Sequence, residues 1–302
     1  MTQDLAPPHS LLPRDLVDAT ADDRYFDYCL EPYRPRRPTA GKARAESLLW
    51  HSLRVAGQLD AWRAPLAAVQ THVGRDLTVW GVKWAGPEAP ATDALWWELY
   101  FYDPQKRSPE ATIDAVGRAL RPFLELRPQI AETTPYMMFS FDLRRGTTAI
   151  SELNLYLTGQ RAHAGRAYRA RPDGIELDNT YRFMEPKREI DEVLPLLRSS
   201  VFVDYAVDRR RLGQVLIPEL FACKKVCIAH KRTCDAIYFS GITVEQLLWF
   251  LRRFCYPAAM VDFVDRHQAR FEHLWFDVGI DYRWDHARDA LAFPKTSFYG
   301  TL

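Results

Sequence analysis

The sequence predicts an α+β fold in which ten antiparallel strands close into a β-barrel, with helices packed around the outside. Three features of the 302 residues support this prediction. Runs in which apolar and polar residues alternate come in adjacent pairs, which is the pattern of antiparallel hairpins. Stretches with apolar residues at three-to-four spacing separate most of these pairs and indicate helices between hairpins. No linker rich in proline, glycine or serine divides the middle of the chain, so we expect one barrel domain.

The elements follow one another as ββα units. Residues 1–40 are rich in proline and predict an irregular segment, which is followed by a single barrel domain over 41–302. Two helices are expected within 43–72, and Ser108 is the expected N-cap of a helix that reaches about Leu126. The ten predicted strands are 76–84, 95–103, 136–143, 150–159, 165–171, 175–184, 225–232, 234–241, 273–282 and 294–302. Closing these strands into a barrel would leave no exposed strand edge.

Five of the predicted strands carry a tyrosine at a matching position. The tyrosines are Tyr100, Tyr156, Tyr181, Tyr238 and Tyr299, and the residues two places before them are Glu98, Asn154, Asn179, Ala236 and Ser297. Side chains two apart share one face of a strand, so each tyrosine faces the same side as its neighbour, and the apolar residues face the helices. High strand propensity explains any single tyrosine. Five at matched positions favour a ring of phenols around the lumen, which is a way to surround a cation.

The amino-acid composition of the chain disfavours several classes of function. The 47% of hydrophobic residues support a substantial core, while the net charge of +1 gives no strong field for nucleic acid or an anionic membrane. The chain starts without the apolar stretch of a signal peptide, and no run approaches the length of a membrane span. The five cysteines lack the spacing of a disulfide framework. We therefore expect a cytoplasmic protein with reduced thiols, which acts as a monomer and binds neither nucleic acid nor membrane.

Two motifs suggest metal sites, but the surrounding pattern disfavours both. The run DDRYFD over 22–27 is similar to an aspartate-rich motif that binds metal and diphosphate, but its third aspartate comes one place late and the all-helical fold of such motifs is absent. Cys223, Cys227 and Cys234 lie near His230, yet no C-x-x-C pair exists, and strand alternation would point these side chains apart. We expect no metal site built by the protein and no organic cofactor.

The order of elements in the last third of the chain, from Lys225 to Leu302, carries a resemblance. A strand (KVCIAHKR) and a second strand (DAIYFSG) precede two helices, a third strand (LWFDVGIDY) and a terminal strand with Tyr299. Together with MMFSFDLRRG and ISELNLYL, this order resembles the ABBA-type aromatic prenyltransferases, or PT barrels. The likeness is greatest to the peptide prenyltransferases of cyanobactin-type biosynthesis. It implies a ten-stranded barrel in which an isoprenoid group passes from an allylic diphosphate to an electron-rich acceptor, either a peptide side chain or a small aromatic molecule.

The resemblance also implies roles for residues at lumen-side positions. The diphosphate would be held by basic residues, for which the candidates are Lys83, Lys231, Lys295 and Arg283. The five tyrosines would shield the allylic cation. Glu98 is the best candidate to steer or deprotonate the acceptor, followed by Asp142, Asp277 and Asp281, and burial among aromatic rings would raise the pKa of such a carboxyl. Trp275 and Asp277 are expected in the acceptor pocket. Magnesium accompanies the diphosphate in some family members, and the sequence leaves its use here open.

The sequence departs from the family pattern in two places. Family members often have Lys or Arg two places before the shielding tyrosine, where this chain has Asn154, Asn179, Ala236 and Ser297. The peptide-acting members also have a glutamate on the first strand, roughly where Thr78 falls. These departures leave a rival open, namely a barrel without catalytic activity that binds an aromatic or isoprenoid ligand. A weaker option is a scaffold whose aromatic interior is fully packed.

Overall fold

The ten long strands form a closed barrel in which every neighbouring pair is antiparallel, as the alternation predicts. The computed structural model describes residues 15–90, 92–103, 107–131, 133–158, 164–205 and 210–302. The strands are β1 (Thr78–Trp84), β2 (Leu95–Tyr102), β3 (Glu125–Leu126), β4 (Met138–Leu143), β5 (Ala149–Ile150), β6 (Leu153–Thr158), β7 (Ala164–Arg171), β8 (Gly174–Met184), β9 (Lys225–Lys231), β10 (Asp235–Ile242), β11 (Phe276–Asp285) and β12 (Ala290–Thr301). The barrel order is β1-β12-β11-β10-β9-β8-β7-β6-β4-β2, and β3 pairs with β5 in a separate parallel pair.

The helices pack against the outside of the barrel. They are α1 (Glu46–Val55), α2 (Leu59–Val73), α3 (Ile113–Leu120), α4 (Ile190–Arg198), α5 (Arg210–Val215), α6 (Val244–Arg253), α7 (Ala258–Arg266) and α8 (Gln268–Phe271). The prediction of a helix capped by Ser108 is wrong. A short 3₁₀ turn occupies 109–111, and the Thr112 side chain accepts from the N–H of Ala115 to cap α3, which ends at Leu120. None of these helices has the length and apolar composition that crossing a membrane requires.

The main core lies between the barrel wall and the helices, because each strand turns its apolar face outwards. Trp97, Phe101 and Phe139 are at most 1% exposed in this layer. Each fully buried side chain of this kind stabilises the fold by about 1.5–3 kcal/mol. The indole N–H of Trp97 donates to Ser52 Oγ of α1 at 2.8 Å, which gives both of these buried polar groups a partner.

The segment 15–40 runs across one end of the barrel and forms two isolated β-bridges but no helix. Asp15 anchors its start through hydrogen bonds to Arg54 of α1 at 2.8 Å. A tight turn follows over residues 27–31, here called the plug. The Asp27 carboxylate accepts from the N–H groups of Cys29 and Glu31, each at 2.9 Å, and Leu30 adopts the left-handed conformation with φ of 56°. The plug therefore has a defined shape at the mouth of the lumen.

Candidate active site in the barrel lumen

The five tyrosines at matched positions all line the lumen. Tyr100, Tyr156, Tyr181, Tyr238 and Tyr299 border one apolar cavity. Burial raises the pKa of each phenol, so all five are neutral hydroxyls in the physiological range. The layer that the sequence pattern predicts as a ring of phenols therefore exists as a feature of the barrel interior.

Glycines on neighbouring strands make room for three of these rings. Gly81 lies opposite Tyr299, Gly279 opposite Tyr238, and Gly165 opposite Tyr181. A Cβ atom added to Gly279 would lie 2.6 Å from the ring of Tyr238, and one added to Gly81 would lie 2.8 Å from the ring of Tyr299. Real side chains do not approach so closely, so the glycines let the rings lie against the barrel wall.

The aromatic ring is completed by two residues that the sequence pattern does not single out. Neighbouring ring centroids are 5.9–6.4 Å apart around a closed circuit. The order around this circuit is Tyr181, Tyr156, Tyr100, Tyr299, Tyr238, Tyr28, Phe183 and back to Tyr181. Tyr28 comes from the plug and bridges the position of β9, whose lumen residues Cys227 and Ala229 are small. A closed aromatic circuit is suited to an apolar or cationic group at its centre.

An apolar cavity of about 360 Å³ lies on the plug side of the circuit. Besides the tyrosines, its walls include Tyr102, Met138, Phe183 and Cys227, and Tyr28 and Cys29 of the plug close part of its mouth. A cavity of about 150 Å³ is enough for benzene. The lumen therefore has room for roughly two benzene-sized groups, which lies within the range of small-molecule sites.

A polar cavity of about 250 Å³ lies on the other side of the circuit and shares Tyr100, Tyr156, Tyr238 and Tyr299 with the apolar one. Lys83, Lys231 and Lys295 line it together, as the resemblance implies. Lys231 Nζ is 5.8 Å from the centroid of the Tyr238 ring. The lumen thus has a charged half and an aromatic half in direct contact.

Every one of the three lysines is paired with a carboxylate. Lys83 contacts Glu98 and lies 2.7 Å from Asp142 Oδ1. Lys231 and Lys295 both contact Asp281, at 2.7 and 3.2 Å. Two cations share one anion at the second cluster, whereas one cation faces two anions at the first. The excess positive charge in the lysine layer therefore lies at Lys231 and Lys295.

Glu98 is an ionised hub, which corrects the expectation of a raised pKa. Burial alone would raise the pKa of Glu98, but the Lys83 ammonium and several hydrogen bonds outweigh burial and lower it to about 2. Tyr100 and Ser140 donate their hydroxyls to Glu98, and the Asn154 amide donates at 3.1 Å. The carboxylate is a weak proton acceptor at neutral pH. It positions Lys83 and Tyr100.

Three of the expected site residues lie away from the lumen cavities. Arg283 is exposed beyond a bulge at the end of β11. Trp275 and Asp277 line a surface cleft of about 800 Å³ between the N-terminal segment and the barrel end. Arg36 lies over the Trp275 ring with its Cζ 4.6 Å from the centroid. Of the five tyrosines, Tyr299 is the one that also lines this cleft, so the residues expected in an acceptor pocket lie outside the aromatic half of the lumen and meet it at Tyr299.

The surroundings of Asp277 bring its pKa close to neutrality, and its carboxyl has a structural role. Burial, and after it the neighbouring Asp27, raise the pKa of Asp277 to about 7. Its carboxyl accepts from the N–H of Tyr28 at 2.9 Å and from the N–H of Gly241 at 3.1 Å. Asp277 therefore fastens the plug to the barrel.

Sequence reasoning missed Arg169 as well as Tyr28. Arg169 of β7 lies opposite Asn154 of β6, lines the polar cavity, and contacts Glu152 and Asp178 at 3.2 and 2.7 Å. Arg169 is an even number of residues from Gly165 on the same strand, and alternate residues of a strand share a face. This spacing could have identified it, because strands without a matched tyrosine also turn alternate residues inwards. Nothing in the local sequence around Tyr28 indicates that its ring enters the barrel.

The described residues do not form a magnesium site of their own. Glu98, Asp142 and Asp281 are the carboxylates nearest the lysine layer, and each is held by a lysine ammonium. Within the described ranges, no group of three His, Cys, Asp or Glu side chains is placed to hold a metal ion. Asp27 shapes the plug and Asp23 pairs with Arg44, so these two aspartates serve the N-terminal segment.

Comparisons with known proteins leave the chain without an assigned family. No protein-family model matches the sequence, and a search of curated proteins finds no significant relative. The geometry of the lumen is therefore the guide to function.

Proposed function

We propose that the protein is an ABBA-type prenyltransferase, which moves an isoprenoid group from an allylic diphosphate to a peptide side chain or a small aromatic acceptor. One observation carries the proposal: a closed aromatic circuit lies directly against a layer of lumen lysines, and four tyrosines border both cavities. A ligand with an anionic head and an apolar, cation-forming chain matches both halves at once.

The chemistry follows from this division. The bond between the allylic carbon and the diphosphate oxygen breaks, and the electron pair leaves with the diphosphate. The electron-rich faces of Tyr238 and Tyr299 would stabilise the allylic cation, each contact contributing about 0.5–2 kcal/mol. The acceptor then forms a bond to the allylic carbon and loses a proton, for which the departing diphosphate is a nearby base. Exclusion of water by the circuit prevents capture of the cation by hydroxide or water.

Lys231 and Lys295 are the best candidates to bind the diphosphate. They share one carboxylate, so their ammonium groups retain donors for an anion. Fixed cations of this kind stabilise the charge that develops on a leaving phosphate group. Lys83 and Arg169 are each matched by two carboxylates and would support the site from its edge. The five free thiols suit a reducing compartment, and we therefore place the reaction in the cytoplasm. We expect the enzyme to act as a monomer.

A second candidate is a barrel without catalytic activity that binds an aromatic or isoprenoid ligand. The pairing of all three lumen lysines with carboxylates favours it, because a diphosphate would have to compete with Asp281 and Asp142 for them. Such a carrier would use the aromatic half of the lumen and leave the ion pairs intact.

Thermal-shift titration separates the two candidates. For the enzyme, dimethylallyl, geranyl or farnesyl diphosphate raises the melting temperature, and the Lys231→Ala variant loses the shift; a ligand at 100 times its Kd stabilises the fold by about 2.7 kcal/mol. The matched control is Lys187→Ala, which removes an exposed lysine and leaves the shift unchanged. Equal shifts from prenyl alcohols and diphosphates, unaltered in Lys231→Ala, support the carrier and contradict the enzyme.

A further inference from the structure

Tyr28 is the one member of the aromatic circuit that does not belong to a barrel strand. Its ring enters the lumen from the plug and lies 5.5 Å from Tyr299, 6.2 Å from Tyr238 and 6.4 Å from Phe183, measured between centroids. It covers the side of the lumen where β9 presents Cys227. The extent of the apolar cavity on this side is therefore set by a residue outside the barrel.

Hydrogen bonds fix the backbone of Tyr28 on both sides. Its N–H donates to the Asp277 carboxyl at 2.9 Å, and its carbonyl accepts from the hydroxyl of Tyr102. Lys225 of β9 contacts Glu31 and lies 3.9 Å from Asp27, which ties the two ends of the plug to the barrel wall. Because these contacts hold the backbone of Tyr28, its ring forms a fixed wall of the cavity.

Two surfaces of the N-terminal segment face different spaces. Tyr28, Cys29 and Glu31 line the apolar cavity, whereas Tyr25 and Tyr33 line the surface cleft. The segment 25–33, which contains the plug, is thus a single layer between the lumen and the cleft. Removing the Tyr28 ring would extend the cavity by roughly the volume of a benzene-sized group, about 150 Å³.

We propose that Tyr28 determines the length of the apolar ligand that the lumen accepts, by ending the cavity at the plug. The inference rests on the proposed function in that it takes an isoprenoid chain as the ligand. In the wild-type protein the cavity holds a ten-carbon chain, and a fifteen-carbon chain meets the Tyr28 ring. A smaller residue at this position opens the cavity towards the cleft and admits the longer chain.

Calorimetric titration with dimethylallyl alcohol, geraniol and farnesol tests this inference. The wild-type protein is expected to bind geraniol more tightly than farnesol. In Tyr28→Ala the ratio of the farnesol Kd to the geraniol Kd falls at least 10-fold, while Tyr28→Phe keeps the wild-type ratio because the ring remains. Tyr28→Leu, with an intermediate side chain, shifts the ratio in the same direction and replaces the alanine variant if that one does not fold.

Tyr25→Ala is the matched control, since it removes a tyrosine of the same segment from the cleft side. An unchanged ratio in folded Tyr28→Ala or Tyr28→Leu overturns the inference, as does an equal change in Tyr25→Ala or the absence of alcohol binding in all proteins. The alcohols cannot ionise as the diphosphates do. A length effect of Tyr28 without any diphosphate binding would therefore sustain this inference while the enzymatic proposal fails.

Discussion

The two ends of the barrel are built on opposite electrostatic principles. At the charged end, Glu98 and Asp281 are buried beside lysines, and these cations outweigh burial and lower the pKa of each carboxyl to about 2. At the plug end, Asp277 is equally buried but faces Asp27, and its pKa rises to about 7. The same residue type therefore stays ionised at one end of the barrel and titrates near neutrality at the other.

Of the two ends, the charged one is prepared for an anion. The charged end already holds several lysine cations in place. An incoming diphosphate would replace their carboxylate partners or share the lysines with them, so no further cation would have to be buried. At the plug end, Lys225 is matched by Glu31 and Asp27, so this end offers no excess positive charge to an anion. A diphosphate is therefore expected to bind head-first at Lys231 and Lys295, with its chain directed through the circuit towards Tyr28.

Removing the shared carboxylate of the charged end has the largest expected effect. Asp281→Asn leaves Lys231 and Lys295 buried without an anion, which is expected to lower the free energy of unfolding by about 3–5 kcal/mol. Urea unfolding measures this loss, with the exposed Asp262→Asn as control. Added pyrophosphate is expected to restore more stability to the variant than it adds to the wild type. Equal responses would show that the two lysines do not form an anion site.

The opposite pKa shifts predict opposite pH dependences at the two ends. Asp277 has a raised pKa, so its contribution to stability is present below about pH 4 and is lost as the pH rises to about 7. Asp281 has a lowered pKa, so its contribution is present above about pH 4 and is lost as the pH falls to about 2. The expected change at Asp277 is about 2–4 kcal/mol.

Unfolding free energies of the wild type and Asp277→Asn between pH 4 and 7 measure this change. The unfolding free energy of the variant minus that of the wild type should increase as the pH rises, because the asparagine does not ionise. Asp27, Lys224 and Lys225 lie in the same electrostatic environment and remain in both proteins, so the difference reports Asp277 together with its interaction with Asp27. A constant difference across this range would contradict the raised pKa and the account of the plug end.

Filling the space beside one tyrosine has a smaller effect. Gly279→Ala places a methyl group against the Tyr238 ring and is expected to cost about 1–3 kcal/mol from overpacking and to displace the ring. Gly213→Ala is the control, because a methyl group added to this glycine of α5 would meet no other atom within 4 Å. Calorimetric unfolding gives the cost, and binding of geraniol should weaken only in Gly279→Ala. Equal stability and equal geraniol binding in the two variants would show that the circuit has room for a methyl group beside Tyr238.

The sequence is informative where the side chains alternate with a period of two and uninformative where a loop enters the core. The alternation around Tyr100 and Tyr238 predicts both the closed barrel and the inward tyrosines, because strand geometry ties facing to spacing. The predicted direction of the Glu98 pKa shift is wrong, since its partner Lys83 is contributed by a neighbouring strand. Tyr28 could not be predicted, because its place depends on a contact with Asp277, 249 residues away in sequence.

The proposed binding mode can be seen in a crystal structure with a non-ionisable thio-analogue of geranyl diphosphate. We expect diphosphate oxygens within hydrogen-bond distance of Lys231 and Lys295, and the chain inside the aromatic circuit with its end at Tyr28. An analogue bound with its diphosphate at the plug or in the outer cleft, with the lumen lysines still held by Asp281, would contradict it.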